Sequence, residues 1–379
     1  MIKMKETRTE NSKIVNSEED VATLRKRIDD IDEQILEMIG RRLEAARAIG
    51  RIKQQAGITV VDNRREGEIF QRLLSLKQET LKAGSLYRIF RSIIGAGRSV
   101  QKQPSKTGVL PIYAVFGDPI GHSLSPVMHN SALAQAGLDG CYLACRVKDI
   151  AAAVTGIRGL GLRGASITIP HKMDVMKHLD RVDSMAAGIG AVNTVVNRRG
   201  VLHGCNTDCS GAVKALADKT VIDGQDVALV GAGGAARAIG FGIRQAGGRL
   251  TIINRTAEKG EKLASDLDCD FKPLSEIKEL PYRIIVNATS VGMAPRDDRI
   301  PLDTDLLERE TVVMDSVYNP LKTRFLTQAA NKGCTTIDGV AMFVNQGAVQ
   351  FELWTGRKAP VDVMRRVVLD ELRAQKVRY

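Results

Sequence analysis

The chain has no apolar run approaching the eighteen or so residues of a membrane-spanning helix, so no membrane partner is expected. Phe, Trp and Tyr make up only 4% of it, and no stretch alternates basic residues with stacking rings, which argues against nucleic acid. Its six cysteines, Cys141, Cys145, Cys205, Cys209, Cys269 and Cys334, have neither CxxC spacing nor the density of secreted scaffolds, so free thiols are expected. Cys205 and Cys209 flank Asp208, but the local sequence lacks further ligands and no metal is expected. The first residues are polar and charged without an apolar core, which reads as a tail (residues 1–17) and a cytoplasmic protein. What is plentiful is positive charge: 55 Lys and Arg against 44 Asp and Glu give +11, and with aromatics scarce the expected partners are small polyanions.

The 379 residues suffice for two or three domains. From Ser17 to Gly57, apolar residues at Val21, Leu24, Ile28, Ile31, Ile35, Met38, Ala45, Ile49 and Ile52 recur in steps of three and four, as on one helix face. A helix about 57 Å long is too long for a compact domain of this size to cover, so it is expected to pack on another chain. Helical stretches follow at about 63–81 and 85–101, then a linker at 103–108. From Val109 short apolar runs alternate with helical segments, as in a parallel α/β sheet. The expected division is a helical domain (18–102), a catalytic domain (109–211 with 340–379) and a Rossmann-like dinucleotide domain (212–339).

Gly231-Ala232-Gly233-Gly234-Ala235-Ala236 follows the apolar run Val227–Val230, and the next apolar run ends in Asn254-Arg255-Thr256. Strand, glycine loop and helix hold a pyrophosphate on backbone N–H groups, and the end of the second strand meets the adenosine ribose. Arg255, where NAD enzymes carry an acid, suits a 2′-phosphate and implies NADP. A glycine turn serving only backbone geometry is the plainer alternative.

On the first helix Arg42 shares the seam with Ile28, Ile35 and Ile49, and Lys53 lies three turns on along the same face. A guanidinium in that register is costly unless an anion meets it, the alternative being an arginine that snorkels to water. Arg25 is roughly 25 Å from Arg42 along the axis, so it can reach the same small ligand only from an antiparallel partner chain.

In the α/β part, Ser123 and Ser125 precede and abut Pro126, either as a two-hydroxyl fork for a carboxylate or with Ser125 as a helix N-cap. Ser166-Ile167-Thr168-Ile169-Pro170-His171-Lys172 reads as a strand entering a helix at Pro170, which places Lys172 in a first turn where a cation opposes the dipole. Asp208 is either a first-turn acid or the partner of Lys172 in moving a proton to a hydroxyl or carbonyl oxygen. Ala288-Thr289-Ser290 ends another apolar run, and Gln346 and Gln350 are either cleft residues or the wet side of a helix.

Leu24-Arg25, Arg42, Lys53, Asp62, Arg65, Glu66 and Gln101 resemble the all-helical chorismate mutase family over nearly all of residues 18–102. The resemblance implies an intertwined homodimer that rearranges chorismate to prephenate. Arg25 from the partner, Arg42 and Lys53 would bind carboxylates and ether oxygen, Arg65 and Asp62 would complete the pocket, Glu66 would hold the ring hydroxyl and Gln101 the ether oxygen. Gly97 stands where that family usually has a serine, a loss of about 1.5–3 kcal/mol for a hydrogen bond to a charged group. Gly117-Asp118-Pro119-Ile120, His122-Ser123-Leu124-Ser125-Pro126, Thr168–Lys172, Gly190-Ala191-Val192-Asn193-Thr194, Asn206-Thr207-Asp208, the glycine loop and Asn254-Arg255-Thr256 resemble shikimate dehydrogenase from about residue 110 onward. That implies NADPH-dependent reduction of 3-dehydroshikimate to shikimate. Ser123 and Ser125 would bind the carboxylate, Thr168, Asn193, Asp208 and Gln346 ring hydroxyls, and Lys172 with Asp208 would transfer the proton. Thr289, Ser290, Gly339 and Met342 would line the nicotinamide side, with Tyr318 and Gln350 as further cleft residues. Ser166 replaces an asparagine common in that family. Quinate or NAD preference, and a helical segment that only dimerises or senses feedback, are the alternatives.

Overall fold

The computed structural model describes residues 17–56, 63–76, 81, 83–101, 110–121 and 123–376. The expected tail, the linker at 103–108, Gly57, Asp62 and His122 lie outside the described residues, as does the side chain of Glu66. The chain divides into two compact units, Met1–Pro104 and Ser105–Tyr379.

The first unit comprises helices α1 (Ser17–Gln55), α2 (Asn63–Ser75) and α3 (Ala83–Gln101). Small residues let α1 and α3 close together: Ala46 and Ile94 are buried, and a Cβ on Gly50 would stand 2.7 Å from the Cα of Gln101. The N-terminal half of α1 is different. Leu24, Ile28, Ile35 and Met38 are all more than half exposed, so the apolar stripe has no cover within the unit among the described residues. The helix α2 ends earlier than the expected 81. Ser75 turns its hydroxyl to the carbonyl of Arg72 at 2.7 Å and Leu76 N–H bonds back three residues to Leu73, tightening the last turn into an end.

The second unit carries two six-stranded sheets. The first is built from β1 (Ile112–Gly117), α4 (Ser125–Gln135), β2 (Cys141–Arg146), α5 (Ile150–Gly159), β3 (Gly164–Ile167), β4 (Arg181–Val182), α6 (Ser184–Ile189), β5 (Thr194–Arg198) and β6 (Val201–Cys205). Its order is β2-β1-β3-β5-β6-β4, and it is mixed rather than parallel. The reason is local: Arg199 and Gly200 both take positive φ (56° and 89°), a two-residue hairpin turn that reverses β5 into β6.

After α7 (Asp208–Ala217) the second sheet follows: β7 (Asp226–Val230), α8 (Gly234–Gln245), β8 (Arg249–Asn254), α9 (Ala257–Leu267), β9 (Asp270–Pro273), β10 (Ile284–Asn287), β11 (Val312–Asp315), α10 (Arg324–Asn331) and β12 (Thr335–Ile337). It is parallel throughout, in the order β12-β11-β10-β7-β8-β9. The chain reverses direction across the sheet between β7 and β10, the topological switch at which dinucleotides bind. Helices α11 (Gly339–Thr355) and α12 (Val361–Lys376) return to the first sheet, where Val344, Phe351, Met364 and Val368 join Tyr113, Met128 and Tyr142 in one core. Gly211 lets α7 and α11 touch, since a Cβ there would lie 2.9 Å from Gln346.

Candidate active site

The chain leaving β3 carries Thr168 and Lys172, and the chain leaving β6 carries Asp208 at the start of α7. Lys172 is not in a helix. Its segment is a turn tied by Val192 N–H to the Lys172 carbonyl (2.8 Å) and by the His171 ring to the Val147 carbonyl (2.7 Å), and only a short 3-10 helix, Asp174–His178, follows. The dipole reasoning for Lys172 therefore fails, but the pairing holds: Nζ lies 2.5 Å from Asp208 Oδ2 with both side chains largely buried. Asp208 is free for this because Asn206 does the capping. Its Oδ1 accepts from the N–H groups of Asp208 (3.0 Å) and Cys209 (3.3 Å), so the carboxylate in the first turn is not consumed by the helix start. The stem of Lys172 passes 3.4 Å from where a Gly234 Cβ would be, so the residue carrying the ion pair adjoins the N-terminus of α8 through its aliphatic part.

Ser125 does not cap α4. The cap position is Leu124, and Ser125 instead donates its N–H to Ser123 Oγ at 3.3 Å, which leaves the Ser123 hydroxyl hydrogen for an acceptor. Beneath the serines runs a buried relay that sequence reasoning missed. Tyr142 donates to Ser166 (2.6 Å), Ser166 to Gln350 Oε1 (2.8 Å), Gln350 Nε2 to Thr194 (2.9 Å), and Thr194 to Asn193 Oδ1 (2.7 Å). Thr207 N–H also donates to that oxygen at 2.8 Å, and because a backbone donor cannot reverse, it fixes the direction of every hydroxyl back to Tyr142. Burial pushes the Tyr142 phenol up, offset in part by the Ser166 and Ser125 hydroxyls. His129, stacked on Tyr142 with ring centres 4.4 Å apart, is held by burial at a pKa of about 3, hence neutral. Gln346 and Gln350 are buried, so the wet-face reading is wrong for both. Gln350 has both amide atoms taken by the protein and supports Asn193 rather than the cleft, whereas Gln346 reaches Thr207 at 3.5 Å beside Asp208. A tyrosine on a strand reads as core, so the sequence carried no signal for Tyr142.

On the dinucleotide side Gly231 takes φ +119°, and a Cβ there would meet Thr289 at 3.0 Å. Neither Gly233 ahead of α8 nor Thr256 ahead of α9 makes a side-chain cap, so the first N–H groups of both helices are left for an anion. Arg255 is exposed, and Asn254 bonds the carbonyl of Thr256 at 2.8 Å. Ala232 and Ala235 flank the loop, while Gly339 lies against the Val317 backbone and Met342 is buried behind. Loop, helix start and cation fit a dinucleotide with an added phosphate. Near Thr289, Asp315 is fully buried, and its carboxyl rises to about 6 by desolvation, against hydrogen bonds from Val317, Thr323 and Asn287. Its folded pKa exceeds the ordinary unfolded value of about 3.9, so its stabilising contribution is complete below that value and is lost as pH climbs through about 6. Asp315→Asn should lack this increment: the melting-temperature difference between wild type and variant should shift in favour of wild type on going from pH 7 to pH 4.5, by thermal unfolding at each pH.

In the helical unit Arg42 does not snorkel. Its Nη1 donates to the Ile93 carbonyl at 3.3 Å, close against Gly97, whose Cβ would lie 3.2 Å from it. Lys53 is half-buried on the same helix, and Gln101 holds a buried Oε1 without a hydrogen-bond partner among the described residues. Arg25 is exposed, and Arg65 is largely exposed and paired with Glu68 at 3.2 Å.

Three family models match: Chorismate mutase type II over residues 24–102, Shikimate dehydrogenase substrate binding domain over 115–195 and Shikimate 5'-dehydrogenase C-terminal domain over 339–369. The shikimate dehydrogenase (NADP(+)) of Moorella thermoacetica is 44% identical over 278 residues, 69% of this chain and 94% of that protein. The Thermus thermophilus shikimate 5-dehydrogenase, solved in complex with NADP(H) and shikimate, superposes with a TM-score of 0.65 at 38% identity, over 69% of this chain and 99% of that one. A quinate dehydrogenase from Corynebacterium glutamicum in complex with NAD has the same TM-score at 28% identity, over 69% and 99%. The chain thus belongs to the shikimate dehydrogenase family and carries a chorismate mutase type II domain ahead of it.

Proposed function

We propose that the α/β unit reduces 3-dehydroshikimate to shikimate with NADPH and that the helical unit rearranges chorismate to prephenate. The observation that carries the first is the buried Lys172–Asp208 pair beside the start of α8, an acid–base couple adjoining a dinucleotide cradle. Bound NADPH supplies the hydride. Ser123 and Ser125 hold the substrate carboxylate, and ring hydroxyls are held by Thr168, Gln346 and the second amide hydrogen of Asn193, whose first goes to Thr207 at 3.0 Å. Lys172 donates a proton to the carbonyl oxygen as negative charge develops there, and Asp208 keeps the ammonium aimed at that atom. Tyr318, stacked on Phe343 at 4.5 Å, closes the cleft on the side of α11. Gly231–Ala235 and Thr256 receive the phosphates, Asn254 and Arg255 the 2′-phosphate ribose, and Thr289, Ser290, Gly339 and Met342 the nicotinamide side.

The test is NADPH oxidation with 3-dehydroshikimate, with quinate and NAD run beside it, in the full chain. Arg255 favours NADP. Arg255→Ala should raise the NADP+ KM roughly 10- to 100-fold, the worth of one charge-assisted hydrogen bond, and leave the NAD KM unchanged. Equal effects on both cofactors would remove the basis for the assignment.

For the helical unit, Arg42 and Lys53 bind the carboxylates and the ether oxygen, Gln101 donates to that oxygen as it gains negative charge, Arg65, Asp62 and Glu66 complete the pocket, and Arg25 enters from the partner of a homodimer formed through the uncovered stripe of α1. Gly97 beside Arg42 supports a second reading, a dimerising or feedback-sensing module. Loss of chorismate in the same preparation separates the two. Six free cysteines agree with a cytoplasmic location.

A further inference from the structure

The strand β11 ends in a carboxylate that touches no proposed ligand residue directly. Asp315 is 0% exposed, and three different segments donate to it: Asn287 Nδ2 at 2.9 Å and Val317 N–H at 3.0 Å to Oδ1, and Thr323 Oγ1 at 2.7 Å to Oδ2. Asn287, its partner in the sheet register, turns its own oxygen onto the next loop, accepting from Thr289 N–H at 3.0 Å and Thr289 Oγ1 at 2.7 Å. Thr289 Oγ1 in turn accepts from Val291 N–H at 3.1 Å. The methyl of Thr289 stands 3.0 Å from the Cβ position of Gly231, so this chain of bonds ends against the glycine loop itself. In the other direction, Val317 backbone lies against Gly339 at the start of α11, and the adjoining Tyr318 stacks on Phe343.

A carboxylate is the side chain that can accept at both oxygens from donors on three segments, and its bonds are the stronger for being charge-assisted. The two walls it serves are unequally supported. Tyr318 has a second anchor in Phe343, whereas the polar atoms of Thr289 are held through Asn287.

Resting on the nicotinamide-side role proposed for Thr289 and Ser290, we propose that Asp315 is a positioning residue that sets the Thr289–Ser290 wall at its working distance from the glycine loop and the substrate. It acts through Asn287 and meets neither ligand. Misplacing a wall of a hydride-transfer site by an ångström costs up to about 100-fold in rate, so the effect belongs in kcat and in the cofactor KM.

The experiment uses the full chain with Asp315→Asn, Thr323→Val and Thr323→Ser, varying NADP+ and shikimate separately, well below each melting midpoint, with sites counted by NADPH binding. Asp315→Asn and Thr323→Val should lower kcat about tenfold or more and raise the NADP+ KM several-fold, while the shikimate KM stays within about twofold. Thr323→Ser, which keeps the donor, should return both constants to wild type. Wild-type kcat and KM with only a lowered melting midpoint would mean a purely structural carboxylate and overturn the proposal, as would an equal rise in both KM values. Should Asp315→Asn not fold, Thr323→Val decides alone: at nearly constant volume it deletes the donor to Asp315 together with the cap bond that Thr323 Oγ1 accepts from Leu326 N–H, and the loss of the cap is read in the melting midpoint rather than in kcat. Lys172→Ala run in parallel keeps the two readings apart: retained turnover there sinks the site assignment, whereas its loss together with unchanged Thr323→Val kinetics sinks only the role of Asp315.

Discussion

Lys172→Ala is expected to lower dehydrogenase turnover by about 10² to 10⁴, the usual worth of a positioned general acid, while the NADPH dissociation constant moves by no more than about threefold. The two outcomes separate because only the stem of Lys172 approaches α8, whereas its ammonium is committed to Asp208 at 2.5 Å. Removing one member of a buried pair also leaves the other charge uncompensated, at a cost of about 3–5 kcal/mol, so the melting midpoint should fall. Asp208→Asn tests the same chemistry from the other side and should lose turnover to a similar degree. Single-turnover NADPH oxidation, with fluorescence titration of the cofactor, reads both quantities. Turnover within tenfold of wild type in Lys172→Ala would assign the proton to another group.

Arg42→Ala is expected to lower mutase turnover by about 10² to 10³, as for deletion of one preorganised charge-stabilising donor, with the dehydrogenase rate unaltered. Its guanidinium is half-buried and already oriented by the Ile93 carbonyl, so little is spent in ordering it when an anion arrives. Arg25→Ala should be similarly impaired, although Arg25 lies roughly 25 Å away on the same helix. Mixing the two inactive variants under exchange of subunits gives a sharper result. A mixed dimer has one site lacking both arginines and one site intact, and half of the dimers are mixed, so about a quarter of wild-type activity should return. No recovery on mixing, with both single variants inactive, would mean that the site is not shared between chains. Full chorismate turnover in Arg42→Ala would support the sensing or dimerising reading.

Much of the site was legible because its chemistry is carried by short contiguous runs. Asn206-Thr207-Asp208 and Thr168–Lys172 each sit where a strand stops, and in an α/β sheet the end of a strand is where a side chain leaves the core for a cleft. The same rule would have found Asn287 and Asp315, polar residues that close the apolar runs Ile284–Val286 and Val312–Met314. It could not find Tyr142, whose hydroxyl matters only because Ser166 and Gln350, far away in sequence, come to lie beside it. The error at Lys172 has a related origin. Helix propensity after Pro170 is a local preference, and the bonds from Val192 N–H to the turn and between the His171 ring and the Val147 carbonyl are not local.

The sequence by itself determined the kinds of element, the glycine loop and the cation that follows β8, and offered Lys172 with Asp208 as one of two readings, because periodicity and backbone freedom are properties of neighbours along the chain. The tertiary structure alone decided that Lys172 and Asp208 meet, that Asn206 relieves Asp208 of capping, that Gln350 faces inward, and that Asp315 ties two walls together. Those outcomes depend on which groups are desolvated side by side, and desolvation is settled by packing between segments remote in sequence.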